Sequence, residues 1–123
     1  MSNRLEDLEI YNLSSTYAEE IWSIVIKWSH FEKDTIGKQL VRSADSISAN
    51  IAEGFGRYHY KENKNFCYFS RGSLIETKSW LQKSNNRGLL PDDEYQALLK
   101  QLELIHIKLN AYIKFIGKMT NGQ

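Results

Sequence analysis

The side chains able to do covalent or acid–base chemistry in this sequence are a pair of carboxylates beside an amide, three histidines and one cysteine. Asn50, Glu53 and Glu76 occupy polar positions at the edges of apolar helical patterns, and two carboxylates held together can share acid and base roles or bind a metal. The spacing argues against both. Bundle metal sites combine Glu with a Glu-x-x-His repeat on facing helices, and no such repeat occurs. His30 falls on the outer face of the first helical pattern, His59 in a turn and His106 in the apolar arc of the last, so they share no ligand spacing. Cys67 is the only cysteine, which excludes an intrachain disulfide and a multi-cysteine zinc site and leaves it as a small packed residue. Gly54-Phe55-Gly56 is too short for a phosphate loop, and it follows a helix where such a loop follows a strand. No catalytic residue, metal ligand or cofactor is assigned, and the chain is expected not to be an enzyme.

The chemistry that stands out instead is electrostatic. Sixteen Lys and Arg against 15 Asp and Glu leave a net charge of +1, far from the balance of a dedicated nucleic-acid binder, so a phosphate-binding surface requires local segregation of charge. That segregation exists. Residues 54–88 carry seven Lys or Arg against Glu62 and Glu76, while the first 20 residues carry five acids and one Arg. No run approaches the roughly 20 apolar residues that span a bilayer, and "MSNRLEDLEIYN" lacks the basic start and apolar stretch of a signal peptide. A cytoplasmic protein with no membrane partner is expected, folded as one domain over residues 1–123.

The elements that must position these residues read as helices, because apolar residues recur at intervals of three and four throughout. The first pattern, Ile10, Leu13, Tyr17, Ile21, Ile24, Trp28 and Phe31, ends near Phe31. Its start lies between Asp7 and Thr16, the earlier position being favoured because the spacing already runs through Ile10. The second, about 35 to 55, places Ile36, Leu40, Ala44, Ile47, Ile51 and Phe55 on one arc, with Gly54 and Gly56 offering a left-handed closure. The third, about 60 to 86, presents Phe66, Ser70, Ser73, Thr77 and Leu81 inward, flanked by Phe69, Leu74 and Trp80, and stops at Gly88. Its small central residues imply close approach to a neighbour. Pro91 and the acids Asp92, Asp93 and Glu94 open the fourth, which runs from Tyr95 through Leu109 to Ile116 with Lys114 and Lys118 near its negative end. Short connections favour antiparallel neighbours, so the fold class is all-α, an antiparallel up-down four-helix bundle.

Three surfaces follow from this arrangement. Gln39, Arg42, Ser46, Asn50, Glu53 and Arg57 lie along one edge of the second arc, with Glu76 on a similar edge of the third. Buried polar groups need partners, which suggests an interhelix network joining Arg57 or Arg42 to Glu53 or Glu76. A second stripe on the third helix, Lys64, Tyr68, Arg71, Ile75, Lys78 and Gln82, has heptad spacing and no acid. With Arg57, Tyr58, Tyr60 and Lys61 in and after the preceding turn it reads as a candidate RNA or DNA surface, cations on phosphates and tyrosines on unpaired bases. It reads also as a solvated basic face, or as one paired with the acidic first helix of a neighbouring copy. Finally, Ala97, Leu104, Ile107, Ala111 and Phe115 lie opposite the fourth core arc, and Trp22 and Ile26 off the first. Aligned apolar rows suggest a subunit interface.

The run "GKQLVRSADSISANIAEGFGR" carries a resemblance. Gln39-Leu40, Arg42, Ala44, Ser46-Ile47 and the block Asn50-Ile51-Ala52-Glu53-Gly54-Phe55-Gly56-Arg57, followed by Arg71-Gly72-Ser73-Leu74, Glu76, Gly88-Leu89 and Tyr95, closely resemble the four-helix-bundle family encoded within intervening sequences of bacterial 23S ribosomal RNA genes. Two positions depart from it: Glu32 stands where the family usually has proline, and Tyr58-His59-Tyr60 where it often has Ser or Thr. The resemblance implies a bundle that assembles into a ring-like homopentamer. A similar accessory protein of diversity-generating retroelements is a basic pentamer that works with a reverse transcriptase and its RNA, which extends to nucleic-acid binding here by analogy alone. The reading is a non-enzymatic homo-oligomer, expected to be pentameric, that engages RNA or DNA. The alternative is a scaffold that docks a partner protein without touching nucleic acid.

Overall fold

The computed structural model describes residues 4–121. Four long helices form it: α1 (Glu9–Val25), α2 (Lys38–Phe55), α3 (Tyr60–Asn86) and α4 (Asp92–Asn121). A 3-10 turn, Leu5–Asp7, precedes α1, and a helical turn His30–Glu32 continues through a π-helical stretch, Lys33–Gly37, into α2. Each helix packs on its sequence neighbours, and α4 closes the bundle against α1. Cross-helix partners run in opposite order: Ser43 with Thr77 but Ile47 with Ser70, and Glu9 with Lys108 but Tyr17 with Leu98. The all-α four-helix bundle expected from the apolar period is the one that forms.

The early start of α1 holds, whereas its expected end at Phe31 does not. The helix closes after Val25 through tight bonds from Lys27 N–H to the Ile24 carbonyl and from Trp28 N–H to the Val25 carbonyl. Ser29 then begins a new turn, its N–H donating to the Glu32 carboxylate at 3.2 Å, a capping-box bond. Phe31 is consequently 75% exposed rather than in the core. At the far end of α3, Gly88 has φ +77° and the bonds Gly88 N–H to Asn85 O and Leu89 N–H to Ser84 O complete a Schellman motif. Gly54 and Gly56 do not play that part, since both have right-handed backbone. Gly54 is a buried helical residue.

Its task is proximity. A Cβ at Gly54 would lie 2.6 Å from Asn63 Oδ1, 2.9 Å from the Asn63 carbonyl oxygen and 2.9 Å from Phe66 Cβ. Further along the same contact the Ser70 hydroxyl donates to the Ile47 carbonyl at 2.7 Å and the Thr77 hydroxyl to that of Ser43 at 3.0 Å. Helices this close have room between them only for small side chains. The buried seam of α3 is therefore Asn63, Cys67, Ser70, Leu74, Thr77, Leu81 and Ser84, a heptad pattern with every fourth-then-third residue inward. Ser70, Thr77 and Leu81 are inward as expected, with Leu74 buried beside them and Trp80 packed against the core, and the expected face is off at three positions. Phe66 and Ser73 are only half-buried, and Phe69, expected to flank the core, is 58% exposed. Among the described residues no buried side-chain nitrogen or oxygen lacks a hydrogen-bond partner.

Two consequences are measurable. Gly54→Ala forces α2 and α3 apart against backbone atoms and is expected to cost about 1–3 kcal/mol, the range for overpacking. Gly72→Ala, where an added Cβ meets nothing within 4 Å, should stabilise by up to about 1 kcal/mol through helix propensity. Urea midpoints of the two variants moving together would contradict the close approach. Burial also pushes the Cys67 thiol from 9.0 up to about 12, and burial, with Glu20 second, raises the Tyr17 phenol. Above about pH 9 the unfolded chain releases protons that the folded chain keeps, so stability falls as pH rises through that window. Melting temperature is expected to drop from pH 9 toward 11, less steeply at first in Cys67→Ala; identical slopes would show the thiol is not held protonated.

Candidate nucleic-acid interface

Because Asn63, Ser70 and Thr77 face α2, the residues one position on turn toward α4, about 100° around the helix. Lys64, Tyr68 and Arg71 thereby line a shallow groove with Asn110, Ile113, Lys114, Gly117 and Lys118 of α4. Four cations and no acid make up its charged lining. Lys64 reaches across to α4, its Nζ 3.5 Å from where a Cβ on Gly117 would stand. The Tyr68 ring lies under two cations, with Arg71 Cζ 5.2 Å and Lys64 Nζ 6.0 Å from its centroid, an electrostatic attraction of the ring quadrupole. Arg71 Nη1 also donates to Asn110 Oδ1 at 2.8 Å. Lys114 and Lys118 were legible in the sequence only as complements to the α4 dipole. Their four-residue spacing on the α4 face toward α3 is the signal that would have added them.

The eight residues read as one surface fall into separate groups. Arg57 pairs with Glu53 at 2.6 Å and lies 3.6 Å from Glu62, with its guanidinium 4.8 Å over the Phe66 ring, so its charge is balanced. Tyr58 is 90% exposed and meets His59 edge-on. Tyr60 sits at the start of α3 beside Tyr112 and Phe115, and Lys61 is exposed outside the groove. Lys78 belongs to a second α3/α4 groove with Leu74, Ile75, Lys100, Glu103 and His106. Lys64, Tyr68 and Arg71 are brought together in this groove, and Arg57, Tyr58 and Tyr60 line a separate one with Asp7, Tyr112 and Phe115.

Of the expected polar network the Arg57–Glu53 pair and an Asn50 bond to nearby backbone form, and the link to α3 runs from Arg57 to Glu62 at 3.6 Å instead of to Glu76. Glu53 and Arg57 bond one turn apart, Asn50 Nδ2 donates to the Ser46 carbonyl at 2.8 Å, and Ser46 Oγ to that of Arg42 at 2.8 Å. Glu76 accepts from Trp80 Nε1 at 3.4 Å on its own helix, and Gln39 and Arg42 are exposed. Apart from those of Arg57, the bonds these residues make are local. The buried polar links between helices come from other residues, among them the inward Ser70 and Thr77: Ser43–Thr77, Ser70 to Ile47, Asn63 Nδ2 to the Tyr112 hydroxyl at 3.4 Å and Tyr17 to the Leu98 carbonyl at 3.0 Å.

The apolar rows are wet in this chain. Trp22 and Ile26 are about half exposed and form, with Val41, an apolar groove between α1 and α2 rimmed by His30, Lys33, Lys38 and Arg42. Leu104, Ile107 and Phe115 are exposed to a similar degree on α4, alongside exposed Ala97 and Ala111. Ile75 is a further exposed apolar residue, on α3. His30 and His59 are exposed and His106 half-buried, and among the described residues no three His, Cys, Asp or Glu side chains converge as a metal site would need. Among them, too, no helix is long and apolar enough to cross a membrane.

Comparison with known proteins bears on this arrangement. A solved structure described as a protein of unknown function from the S23 ribosomal protein family of Bacteroides thetaiotaomicron superposes with a TM-score of 0.77 at 22% identity, covering 85% of this chain and 98% of its own. At that identity the likeness shows the shared helical fold. No curated protein sequence matches. The model of the family described as 23S rRNA-intervening sequence protein matches residues 6–111. With most of its length so matched, the chain belongs to the 23S rRNA-intervening sequence protein family.

Proposed function

We propose that this chain is a non-catalytic, cytoplasmic binding protein that associates with its own copies, as a ring of five, and holds a strand of RNA or DNA in the groove between α3 and α4. The observation that carries the binding half is the acid-free cluster of Lys64, Arg71, Lys114 and Lys118 on a chain whose net charge is only +1. Like charges concentrated within roughly a Debye length of one another are relieved by a polyanion, which releases its own counterions on binding. The half-exposed rows on α1 and α4 supply a reason for copies to associate, and the family resemblance supplies the number. The apolar groove of Trp22, Ile26 and Val41 favours the second reading, a scaffold for a partner protein.

Fluorescence anisotropy with a labelled single-stranded RNA separates the two. Four phosphate contacts on a single strand correspond to a slope of log affinity on log salt of about −3, and Lys114→Gln with Lys118→Gln is expected to halve it. Absence of binding even at about 50 mM salt rejects the nucleic-acid reading and leaves the scaffold. For assembly, light scattering is expected to give one species near five times the 14.4 kDa chain mass. A stable monomer refutes that half.

A further inference from the structure

We infer that the α3/α4 groove recognises the phosphodiester chain alone, with Tyr68 acting as a strut between two cations, and that stacking on bases falls to Tyr58; this rests on the nucleic-acid reading above. A base stacks on an open ring face. The Tyr68 ring is already engaged by Arg71 at 5.2 Å and Lys64 at 6.0 Å, and Arg71 is anchored a second time on Asn110. Although the ring is 40% exposed, it thus holds two positive groups in place, and a base stacking on it would have to compete with Arg71. Nor does the lining offer an inventory for reading base edges. Apart from its cations it contributes Ile113, Gly117, the Tyr68 hydroxyl and Asn110, whose carbonyl is committed to Arg71. Sequence readout needs matched donors and acceptors at each base, whereas ammonium and guanidinium groups suit phosphate. Tyr58 is the converse case. It is 90% exposed with a single edge-to-face neighbour, His59, so at most one ring face is covered. It stands in the turn just ahead of α3, in the adjoining groove with Tyr60 and Phe115, and Tyr60 to Lys64 is one helical turn, about 6 Å, within reach of a strand that runs on from the cationic groove.

The test uses two labelled strands of equal length, an oligothymidylate and a fully abasic deoxyribose-phosphate chain, titrated against the wild type, Tyr68→Ala, Tyr68→Phe and Tyr58→Ala. The wild type is expected to bind the abasic strand. Tyr68→Ala should weaken both strands by the same factor, about two- to fivefold, while Tyr68→Phe, which keeps the ring, matches the wild type. Tyr58→Ala should weaken only the base-bearing strand, by about fivefold or more. Each variant's helix content and melting temperature confirm that it folds, which the exposure of both rings permits. Loss in Tyr68→Ala confined to the base-bearing strand, or failure of the wild type to bind the abasic strand while binding the other, overturns this inference and leaves the broader reading standing. Failure to bind either strand overturns both.

Discussion

The hydroxyl of Ser70, donating across to the Ile47 backbone carbonyl at 2.7 Å, sets how near α3 lies to α2, and the rest of the bundle adjusts to that distance. A side chain bonded to a neighbouring helix's backbone requires the two axes to come together with nothing larger than a hydroxyl between them. Gly54 and the Ser43–Thr77 bond repeat the condition at either side of Ser70. Each bond contributes only about 1 kcal/mol on balance, but together they fix rotation as well as separation. With the small polar column of α3 turned to α2, Phe66 and Trp80 are left half-buried at its edges and Phe69 exposed, and Lys64, Tyr68 and Arg71 are turned toward α4. The surface proposed to bind nucleic acid is in this sense a by-product of how α2 and α3 pack.

That chain of dependence explains which parts of the molecule are legible from residues alone. The three-and-four spacing of Ile47, Ile51, Leu98, Leu102 and Leu109 marks apolar arcs that are buried as expected, because for these positions area removed from water dominates. Gly88 is legible too, since a left-handed terminus has few other solutions. The inward face of α3 is legible only in its middle, where Ser70, Thr77 and Leu81 are buried as their spacing predicts. A reader of hydrophobic period weights Phe66, Phe69 and Trp80 above Asn63, Cys67 and Ser84, yet shape decides here: the gap admits small residues and excludes rings. The signal for the ends of the seam was the seven-residue recurrence that extends Ser70 and Thr77 to Asn63 and Ser84, polar positions that hydropathy discards.

The candidate site divides along the same line. Cationic character around residues 64–71 follows directly from charge segregation, and side chains one heptad apart on a helix share a face whatever the tertiary structure. Whether Lys78 joins them, and whether α4 adds to them, depends on how two helices are set against each other. Ile75 stands between Arg71 and Lys78 at the point where the α3/α4 surface changes from the Lys114 groove to the His106 groove. Lys114 and Lys118 enter because α4 runs back past the start of α3. The polar strip of α2 failed in part for a related reason: helical-wheel position at the edge of an arc does not say whether a neighbour stands over that edge. Asn50 and Ser46 find partners within their own helix, as short polar side chains do when none stands opposite, and Glu53 pairs with Arg57 just beyond its end.

The overall charge of +1 conceals two kinds of cation. Arg57 is matched by Glu53 and Glu62, and Lys108 by Glu9; such exposed pairs add little to stability but cancel their own field. The cations of the α3/α4 groove meet an amide and an aromatic ring instead of carboxylates. A ring or an amide carbonyl attracts a cation without neutralising it, so these contacts orient Lys64 and Arg71 while leaving their charge to act at a distance. Orientation without cancellation is what an anion-binding surface requires. It also costs folding some like-charge repulsion, a cost a bundle with an otherwise fully partnered polar interior can sustain at its surface, where water and salt screen it.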